Sequence, residues 1–256
     1  MIIGFLGFGE AGQAFAKTLG GELVAYDVKG DALAGPADAL NTRLGGPAIL
    51  SQASIVFSAV TAAVSLDAIQ AVERHLHPGQ TVIDINSVSP ARKHTTANVV
   101  GAMGADYVDM AIMGPVHPLG HKTPVLVAGA NESLRQWLTE KDFSYEVAGE
   151  EIGQATAIKL VRSLFVKGLE AITVATLRAA DNANCRTQLE TSLATSFPGL
   201  GWPGFADYET ERVEKHGRRR AAEMNECAVA MQDLGLPEAR DLALAVARVH
   251  EAFAKP

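Results

Sequence analysis

The sequence predicts an α/β domain with a doubly wound sheet, followed by an all-α domain. Two patterns along the 256 residues indicate this fold class. Up to about residue 150, short apolar runs rich in Val and Ile alternate with helical patterns, as in a mostly parallel sheet with helices on both faces. After Gly153 only helical patterns follow. We therefore predict one domain over residues 1–150 and a second over residues 151–256.

Residues that favour helix starts, helix ends and turns mark the boundaries of the predicted elements. Ser89–Pro90 predicts the start of a helix that runs to Val100, because Ser is a favoured N-cap and Pro fits the first helical position. In the second half, Phe197–Phe205 is a Pro/Gly-rich break, and Gly235 before Pro237 predicts a helix end. The predicted strands are the apolar runs Ile2–Leu6, Leu23–Asp27, Ile55–Val60, Thr81–Ile85, Tyr107–Ile112 and Val125–Ala128.

The composition restricts the partners of the chain. The net charge is −7 and the longest basic run is Arg218–Arg220, whereas nucleic-acid and anionic-membrane surfaces need clustered cations. Cys185 and Cys227 give neither a disulfide framework nor the spacing of metal ligands, which fits reduced thiols. The amino terminus lacks the features of a signal peptide, and no apolar run reaches the length of a membrane span. We therefore expect a cytoplasmic protein with a small partner, no metal, no nucleic acid and no membrane contact.

A glycine motif lies between the first predicted strand and a helix. Gly7, Gly9 and Gly12 form G-x-G-x-x-G, and Asp27 ends the next strand 20 residues after Gly7. The glycines permit a tight turn, the approach of a pyrophosphate and close helix packing, while the helix N-terminus faces the phosphate charge. Asp27 would accept hydrogen bonds from the ribose and repel a 2′-phosphate. The motif predicts a Rossmann-type domain that binds NAD, with NADP as the alternative because Lys29 is near.

The predicted cofactor site extends from the glycine loop to the ends of neighbouring strands. A methyltransferase-type nucleotide fold is the main rival, although its glycine loop would not need the third glycine. A glycine turn without a ligand is the other alternative. The predicted cofactor-binding residues are Gly7, Phe8, Gly9, Glu10, Ala11, Gly12, Asp27, Val60, Thr61 and Asn86.

The segment Gly153–Asn184 predicts one long helix that is apolar almost all round. At about 100° per residue, its polar side chains fall within one stripe roughly 140° wide. Such a helix packs on several neighbours, with the stripe facing either bulk water or an internal cleft. The segment alone leaves both alternatives open. The stripe consists of Thr156, Lys159, Arg162, Ser163, Lys167 and Glu170.

Three more segments extend the pattern beyond the glycine loop. The stretch VIDINSVSP places Asp84, Asn86, Ser87 and Pro90 after a predicted strand, YVDMAIMGPV covers another strand, and GQATAIKLVRS opens the long helix. On these segments the chain resembles the β-hydroxyacid dehydrogenases of the 6-phosphogluconate dehydrogenase-like group over nearly its whole length. The resemblance implies that Lys159 is the catalytic lysine of that group, and it also points to a homodimer.

The role of a catalytic lysine suits this part of the sequence. Oxidation of a hydroxyl by hydride transfer to nicotinamide requires a group that removes the alcohol proton, and reduction requires its return. A lysine that is partly desolvated on a buried helix, with cationic neighbours, has its pKa lowered toward the working pH. Arg162 and Lys167 lie on the same stripe as Lys159. We therefore predict that Lys159 is the general acid and base; a surface lysine with its ammonium in solvent is the alternative.

Other positions depart from the pattern of that group. Met113 stands in place of the serine of the substrate segment, Gly114 is kept, Pro115 replaces a second glycine, and Ser163 stands in place of an asparagine. The segment HGRRRAAEM lacks the K-D pattern of the group. With GFGEAG and KLVRSLFVKGLEA, it is similar to a poorly characterised subgroup with a distinct C-terminal domain. The predicted substrate-binding residues are Ser87, Met113, Gly114, Arg162, Ser163 and Arg219.

Two further groups of residues are weaker candidates. Arg218–Arg220 form either a solvated face, with Arg219 paired to Glu223 one turn on, or a contact to an anionic substrate or cofactor. His117 and His121 lie in a Pro/Gly-rich loop, where a lining role is favoured over a metal pair. We therefore predict no metal site.

These observations predict an NAD(P)-dependent oxidoreductase that interconverts a hydroxyl and a carbonyl on a small anionic metabolite with a carboxylate. Because the Met113 side chain donates no hydrogen bond, Pro115 lacks an N–H and Ser163 is shorter than asparagine, we expect a bulkier or differently shaped substrate than the usual short β-hydroxyacids. An imine reductase on the same scaffold and a nucleotide-binding sensor without turnover are the alternatives. We also predict a homodimer, since the helix Gly153–Asn184 is too apolar for a small all-α domain to cover.

Overall fold

The computed structural model describes residues 1–255, which divide into two compact units. The first unit is Met1–Lys159 and the second begins at Leu160. The first contains a sheet with helices and the second contains helices only, so the predicted fold class is confirmed. The domain boundary near residue 150 stays a prediction.

The first unit is built on an eight-stranded sheet with the order β3-β2-β1-β4-β5-β6-β7-β8. All neighbouring strands are parallel except β6 and β7, which are antiparallel. The strand order reverses between β1 and β4, which makes their carboxyl ends the switch point where doubly wound folds bind ligands. The strands are β1 Ile2–Leu6, β2 Glu22–Tyr26, β3 Thr42–Leu44, β4 Ile55–Ser58, β5 Thr81–Asp84, β6 Asp106–Ile112, β7 Val125–Ala128 and β8 Tyr145–Gly149.

All six predicted strands are confirmed, and two edge strands were missed. The missed strand β3 has only three residues, and β8 carries half-buried or exposed side chains, so neither gives an apolar run. The helix predicted to begin at Pro90 is α4, and the Ser89 hydroxyl caps it by accepting a hydrogen bond from Arg92 N at 3.4 Å. The helices of this unit are α1 Glu10–Leu19, α2 Ala34–Ala39, α3 Ser65–Val72, α4 Pro90–Ala102 and α5 Glu132–Glu140, and α6 Gln154–Asn182 begins in it.

Apolar side chains cover both faces of the sheet. In one cluster Phe5, Phe15 and Phe57 are fully buried, and the ring centroids of Phe5 and Phe57 lie 5.7 Å apart. A separate cluster contains the fully buried Val56 and Ile69. Because successive strand residues point to opposite faces, Val56 and Phe57 belong to different layers. The sheet is therefore packed on both sides, as its apolar strands predict.

The second unit consists of the rest of α6 and three further helices. The predicted break Phe197–Phe205 contains a 3₁₀ turn between α7 and α8. Gly235, where a helix end was predicted, has φ +72 and lies between α8 and α9. The three helices are α7 Arg186–Ser196, α8 Gly204–Asp233 and α9 Pro237–Phe253.

A glycine allows α8 and α9 to pack closely. A Cβ atom added at Gly217 would lie 2.4 Å from the carbonyl oxygen of His250 and 2.7 Å from the Cβ of Ala254. Both atoms belong to the segment at the end of α9. Around this contact Met224 and Ala243 are fully buried in the core of the unit. The packing of the two helices therefore depends on the missing side chain.

No helix within residues 1–255 has both the length and the apolar character required to cross a bilayer.

We expect Gly217→Ala to destabilise the protein by about 1–3 kcal/mol, because the added methyl group overlaps backbone atoms of α9. Gly101→Ala in α4 is the matched control, since no atom lies within 4 Å of the added Cβ. In a helix interior that change is favourable by roughly 0.5–1 kcal/mol. Urea unfolding followed by circular dichroism measures both. Equal midpoints for the two variants would contradict the packing described here.

Candidate functional site

The glycine loop, residues 7–9, connects β1 to α1 at the carboxyl edge of the sheet. Gly7 has φ +89, and a Cβ there would lie 2.5 Å from the carbonyl oxygen of Ala59. A Cβ at Gly12 would lie 2.7 Å from the carbonyl oxygen of Gly7. Packing within the protein therefore requires these two glycines.

Gly9 is different, because no protein atom lies within 4 Å of the Cβ position it lacks. The residue is exposed and is the N-cap of α1, where no side chain caps the first N–H groups. Free N–H groups at a helix N-terminus attract phosphate oxygens. The open space at Gly9 and the uncapped helix end therefore fit a pyrophosphate. Glu10 and Ala11 form the first turn of the same helix.

Asp27 follows β2 and binds the backbone of the glycine loop. Its Oδ2 accepts a hydrogen bond from Phe8 N at 2.8 Å, and its Oδ1 accepts one from Lys29 N at 2.9 Å. The Phe8 side chain is fully buried in the core, so this residue contributes its backbone to the loop. Each carboxylate oxygen retains acceptor capacity for a ribose hydroxyl. Asp27 therefore holds the loop in place and presents a fixed negative charge beside it.

Asn86 joins the loops that follow β4 and β5. Its Oδ1 accepts a hydrogen bond from Val60 N at 2.8 Å, and its Nδ2 donates one to Ser58 Oγ at 2.9 Å. Its backbone N–H donates to Asp84 Oδ1 at 2.8 Å. The side-chain amide of Asn86 is thus bound by protein partners. Thr61, which follows Val60 in the chain, is exposed. The four predicted cofactor residues beyond the glycine loop, Asp27, Val60, Thr61 and Asn86, follow the carboxyl ends of parallel strands, at the same edge of the sheet as that loop.

Lys159 lies beside Ser87. Its Nζ donates a hydrogen bond to Ser87 Oγ at 2.5 Å, and both residues are half-buried. The first turn of α6 is fixed by Thr156, whose N–H donates to Asp109 Oδ2 at 2.9 Å and whose hydroxyl donates to Val88 O at 2.7 Å. The structure thus brings the predicted catalytic lysine to a predicted substrate residue.

Met113 and Gly114 follow β6 close to this turn. Met113 N donates a hydrogen bond to Pro124 O at 2.9 Å, so the N–H of Met113 is not free for a ligand. The half-buried Met113 side chain packs against an apolar cluster that contains Ala155 of α6. This segment therefore offers an apolar contact where the related group has a serine.

In the second unit, Ser163 is bound by residues of the protein. Ser163 Oγ donates to Glu223 Oε1 at 2.6 Å and accepts from Lys167 Nζ at 3.1 Å, while Lys167 Nζ lies 3.0 Å from the same Glu223 oxygen. Glu223, as a partner of Ser163, was not predicted. By contrast, Arg162 and Arg219 are exposed.

Three residues of the polar stripe of α6 are buried in the second unit. At these positions the stripe therefore does not face bulk water, which was one of the two alternatives left open by the sequence. Ser163 is 1 % exposed, Lys167 8 % and Glu170 0 %. Glu170 accepts hydrogen bonds from Arg220 Nη1 at 2.6 Å to each carboxylate oxygen, and from Arg212 Nε at 3.0 Å. Burial lowers the pKa of Arg220, and the Glu170 charge opposes that shift. Because Arg220 is buried, the expected solvated face does not include this member of Arg218–Arg220.

Both ring nitrogens of His121 are bound by other residues of the protein. One ring nitrogen, Nδ1, lies 2.8 Å from Thr18 Oγ1 of α1, and Nε2 lies 2.8 Å from Lys141 O. Burial lowers the pKa of His121. Across residues 1–255, no group of three or more His, Cys, Asp or Glu side chains is arranged to hold a metal ion.

Lys93 was not among the predicted site residues, and it is fully buried. Lys93, on α4, lies on the same face as Thr96 and Val100, and all three are buried. Their spacing of three and four residues is the helical period of a core face. That pattern was the available signal, because a lysine on a core face needs a buried partner.

Comparison with known proteins agrees with this geometry. Residues 2–139 match the family model for the NAD binding domain of 6-phosphogluconate dehydrogenase. Residues 180–253 match a domain of unknown function, DUF1932. Similar solved structures include a conserved hypothetical protein from Sinorhizobium meliloti 1021, with 32 % identity and a TM-score of 0.80 over 98 % of this chain and 88 % of that one.

Two further structures cover nearly the whole chain. One is a conserved protein of unknown function described as structurally similar to 3-hydroxyacid dehydrogenases, with 27 % identity and a TM-score of 0.78 over 99 % of this chain and 96 % of that one. The other is an imine reductase from Myxococcus stipitatus in complex with NADP⁺, with 18 % identity and a TM-score of 0.61 over 97 % and 93 % of the two chains. This last likeness shows the fold alone. The chain belongs to the 6-phosphogluconate dehydrogenase-like family of NAD(P)-binding, hydroxyacid dehydrogenase-like oxidoreductases.

Proposed function

We propose that this protein transfers a hydride between a nicotinamide cofactor and the hydroxyl or carbonyl carbon of a small, carboxylate-bearing metabolite, with Lys159 as general acid and base. The observation that carries the proposal is the hydrogen bond from Lys159 Nζ to Ser87 Oγ at 2.5 Å. Ser87 follows β5, and the glycine loop follows β1 in the same parallel part of the sheet. A proton donor and a nucleotide-binding loop therefore share the edge where ligands bind in doubly wound folds.

The residues present fit a dinucleotide. Gly9 and the uncapped N-terminus of α1 would hold the pyrophosphate, and Asp27 would accept hydrogen bonds from the adenosine ribose. The bound nicotinamide ring supplies or accepts the hydride. The charge of Asp27 would repel a 2′-phosphate, which favours NAD, whereas the exposed Lys29 keeps NADP as the alternative.

Lys159 would move the proton of the substrate hydroxyl. In oxidation its amine takes that proton, and in reduction its ammonium returns it to the developing alkoxide. Ser87 Oγ accepts a hydrogen bond from Nζ and so directs one N–H of the lysine. Holding Nζ in place reduces the freedom lost when a substrate binds.

The substrate is proposed to differ from the usual short β-hydroxyacids. Met113 has no polar side-chain donor and its N–H is bound to Pro124, Pro115 has no N–H, and Ser163 is bound to Glu223. A carboxylate placed as in the related group would lose these partners. Arg162 and Arg219, both exposed, are the cations proposed for the anionic group of the substrate.

We expect the wild-type protein to bind NADH more tightly than NADPH in fluorescence titrations. Gly9→Ala should weaken NADH binding by about tenfold or more without lowering the melting temperature, because its methyl group occupies only the ligand space. Gly12→Ala is the matched control and should lower the melting temperature, since its methyl group meets Gly7 O. Tighter binding of NADPH would contradict the NAD assignment, and binding of neither nucleotide would contradict the whole proposal.

Lys159→Ala should lower kcat by about 10² or more while leaving the affinity for the cofactor nearly unchanged. A screen of hydroxyacids, ketoacids and imines, followed by NADH absorbance, supplies the substrate for this measurement. Lys215→Ala, at an exposed lysine of α8, is the matched control and should behave as wild type. A Lys159→Ala variant with near-normal turnover would show that this lysine has no part in proton transfer.

The same screen separates the alternatives. Consumption of the reduced cofactor with imines alone would favour an imine reductase, and no turnover with any compound would favour a nucleotide-binding sensor. Efficient turnover of 3-hydroxyisobutyrate-like acids, with kcat/KM above roughly 10⁴ M⁻¹s⁻¹, would contradict the expected change of substrate.

We also propose that the chain forms a homodimer through α6. Large apolar side chains on this helix are exposed: Val161 by 51 %, Phe165 by 73 % and Ile172 by 64 %. Their spacing of four and seven residues places them along one face. In addition, no residue of α7 is buried. Contiguous exposed apolar surface of this kind marks an interaction site.

Light scattering at micromolar concentration should give twice the chain mass of 26.9 kDa. Phe165→Glu should give the monomer mass, because a charge on this face loses its hydration in the interface. Leu119→Glu, at an exposed leucine outside α6, is the control and should stay dimeric. A wild-type mass of 26.9 kDa would count decisively against the dimer.

A further inference from the structure

A fully buried lysine lies beneath the Ser87 loop, and the proposed chemistry does not use it. Lys93, on α4, has a relative exposure of 0 %. Lysine is almost never fully buried unless its charge is paired, because an ammonium group without partners loses its hydration. The contacts of Lys93 therefore show which groups require a positive charge at this position.

The ammonium group of Lys93 faces three oxygen atoms. Its Nζ donates to the carbonyl oxygen of Asp84 at 2.7 Å and lies 3.1 Å from Asp84 Oδ1 and 3.3 Å from Asp109 Oδ1. Asp84 and Asp109 are also 0 % exposed. Asp109 Oδ1 accepts no hydrogen bond, so its contact with Lys93 is an ionic one. One buried cation thus contacts the carboxylates of Asp84, the last residue of β5, and of Asp109, in the middle of the neighbouring strand β6.

Each aspartate holds a different part of the candidate site. Asp84 accepts hydrogen bonds from Asn86 N at 2.8 Å and Tyr107 OH at 2.6 Å, and so fixes the start of the loop that contains Ser87. Asp109 accepts a hydrogen bond from Thr156 N at 2.9 Å and so fixes the first turn of α6.

The charge balance depends on Lys93. The charged groups in contact with Lys93 are Asp84 of β5 and Asp109 of β6. The Tyr107 hydroxyl of β6 donates to Asp84 and the Thr156 N–H of α6 donates to Asp109, whereas Asp67 of α3 is exposed. Burial, followed by the Asp84 charge, raises the pKa of Tyr107 well above 10.0, so its hydroxyl stays a donor. Without the cation, two buried carboxylates would face each other, and one would retain a proton.

We propose that Lys93 is a positioning residue for Lys159. Through its contacts with both carboxylates, it fixes the Ser87 loop and the first turn of α6 relative to each other, and this sets the contact between Lys159 Nζ and Ser87 Oγ. Lys93 acts through Asp84 and Asp109. The consequence for catalysis rests on the proposed function, whereas the positioning of Lys159 does not.

The test uses Lys93→Met in the full chain, together with the double variant Lys93→Met/Asp109→Asn. In the single variant one carboxyl group keeps its proton in the folded protein, so its folded pKa is raised above the unfolded value of about 3.9. The unfolding free energy should therefore fall as the pH rises from about 4 toward 8, relative to wild type. The double variant restores the charge balance, and the amide introduced by the Asp109→Asn change can donate to Asp84, so this fall should disappear.

A second readout reports on Lys159 without any substrate. Acetic anhydride labelling followed by mass spectrometry measures the reactivity of each amine. We expect Lys159 to react about three- to tenfold faster in Lys93→Met, as for the loss of one hydrogen bond, and at the wild-type rate in the double variant. The exposed Lys215 should react equally in all proteins. If the screen yields a substrate, kcat should fall about tenfold or more in Lys93→Met and recover in the double variant.

Thr156→Val gives an independent route if Lys93→Met does not fold. It removes the hydrogen bond to Val88 O and keeps the charges, so Lys159 should again label faster, with no added pH dependence of stability. Unchanged labelling of Lys159 in the variants that fold would overturn the proposal and leave Lys93 with a role in stability only. Absence of turnover by the wild type would overturn the proposed function alone, because the labelling and unfolding measurements need no substrate.

Discussion

The ion cluster of Lys93, Asp84 and Asp109 is the interaction on which the rest of the candidate site depends. All three side chains are fully buried. Hydrogen bonds join the two carboxylates to two different segments. Through Asn86 the cluster reaches Val60 and the loop after β4, next to the glycine loop. Through Asp109 it reaches the start of α6. Burying charge costs several kcal/mol per ion unless partners are well placed. We propose that the cluster therefore limits changes in the distance between these segments, which carry the proposed proton donor and part of the proposed cofactor site.

Much of the fold was predictable because its physical causes are local. Strands buried on both faces give apolar runs such as Ile55–Ser58, and the glycine spacing follows from contacts within one turn. The edge strands β3 and β8 were missed because exposed strands need no apolar run. The contacts of Glu223 with Ser163 and Lys167, and those of Lys93, could not be predicted, since they join helices and strands that are distant in sequence. The spacing of Lys93 with Thr96 and Val100 is the helical period of a core face, but nothing in the sequence identifies the partners of Lys93.

In the second unit, α6 buries polar side chains and exposes large apolar ones, which is the opposite of the usual amphipathic helix. Its polar residues Ser163, Lys167 and Glu170 are buried in an ion network with α8, while Phe165 and Ile172 are exposed. A buried ion network gives little net stability compared with apolar packing. The exposed side chains would contribute roughly 1.5–3 kcal/mol each if they were covered. The sequence predicted the stripe but not its direction, because the periodicity of a helix does not tell which face meets the core.

The family match identifies the cofactor domain, whereas the DUF1932 part packs against this unusual helix.

The central claim is that Lys159 carries the proton in an NAD(P)-dependent reaction. The most direct test is the pH dependence of kcat/KM for the wild type, Lys159→Ala and Lys215→Ala with one substrate. An essential acid or base appears in such a profile as a limb that follows its ionisation in the free enzyme. We expect the wild type and Lys215→Ala to share a limb that Lys159→Ala lacks. The same limb in all three proteins would contradict the assignment, because the ionising group would then be another residue.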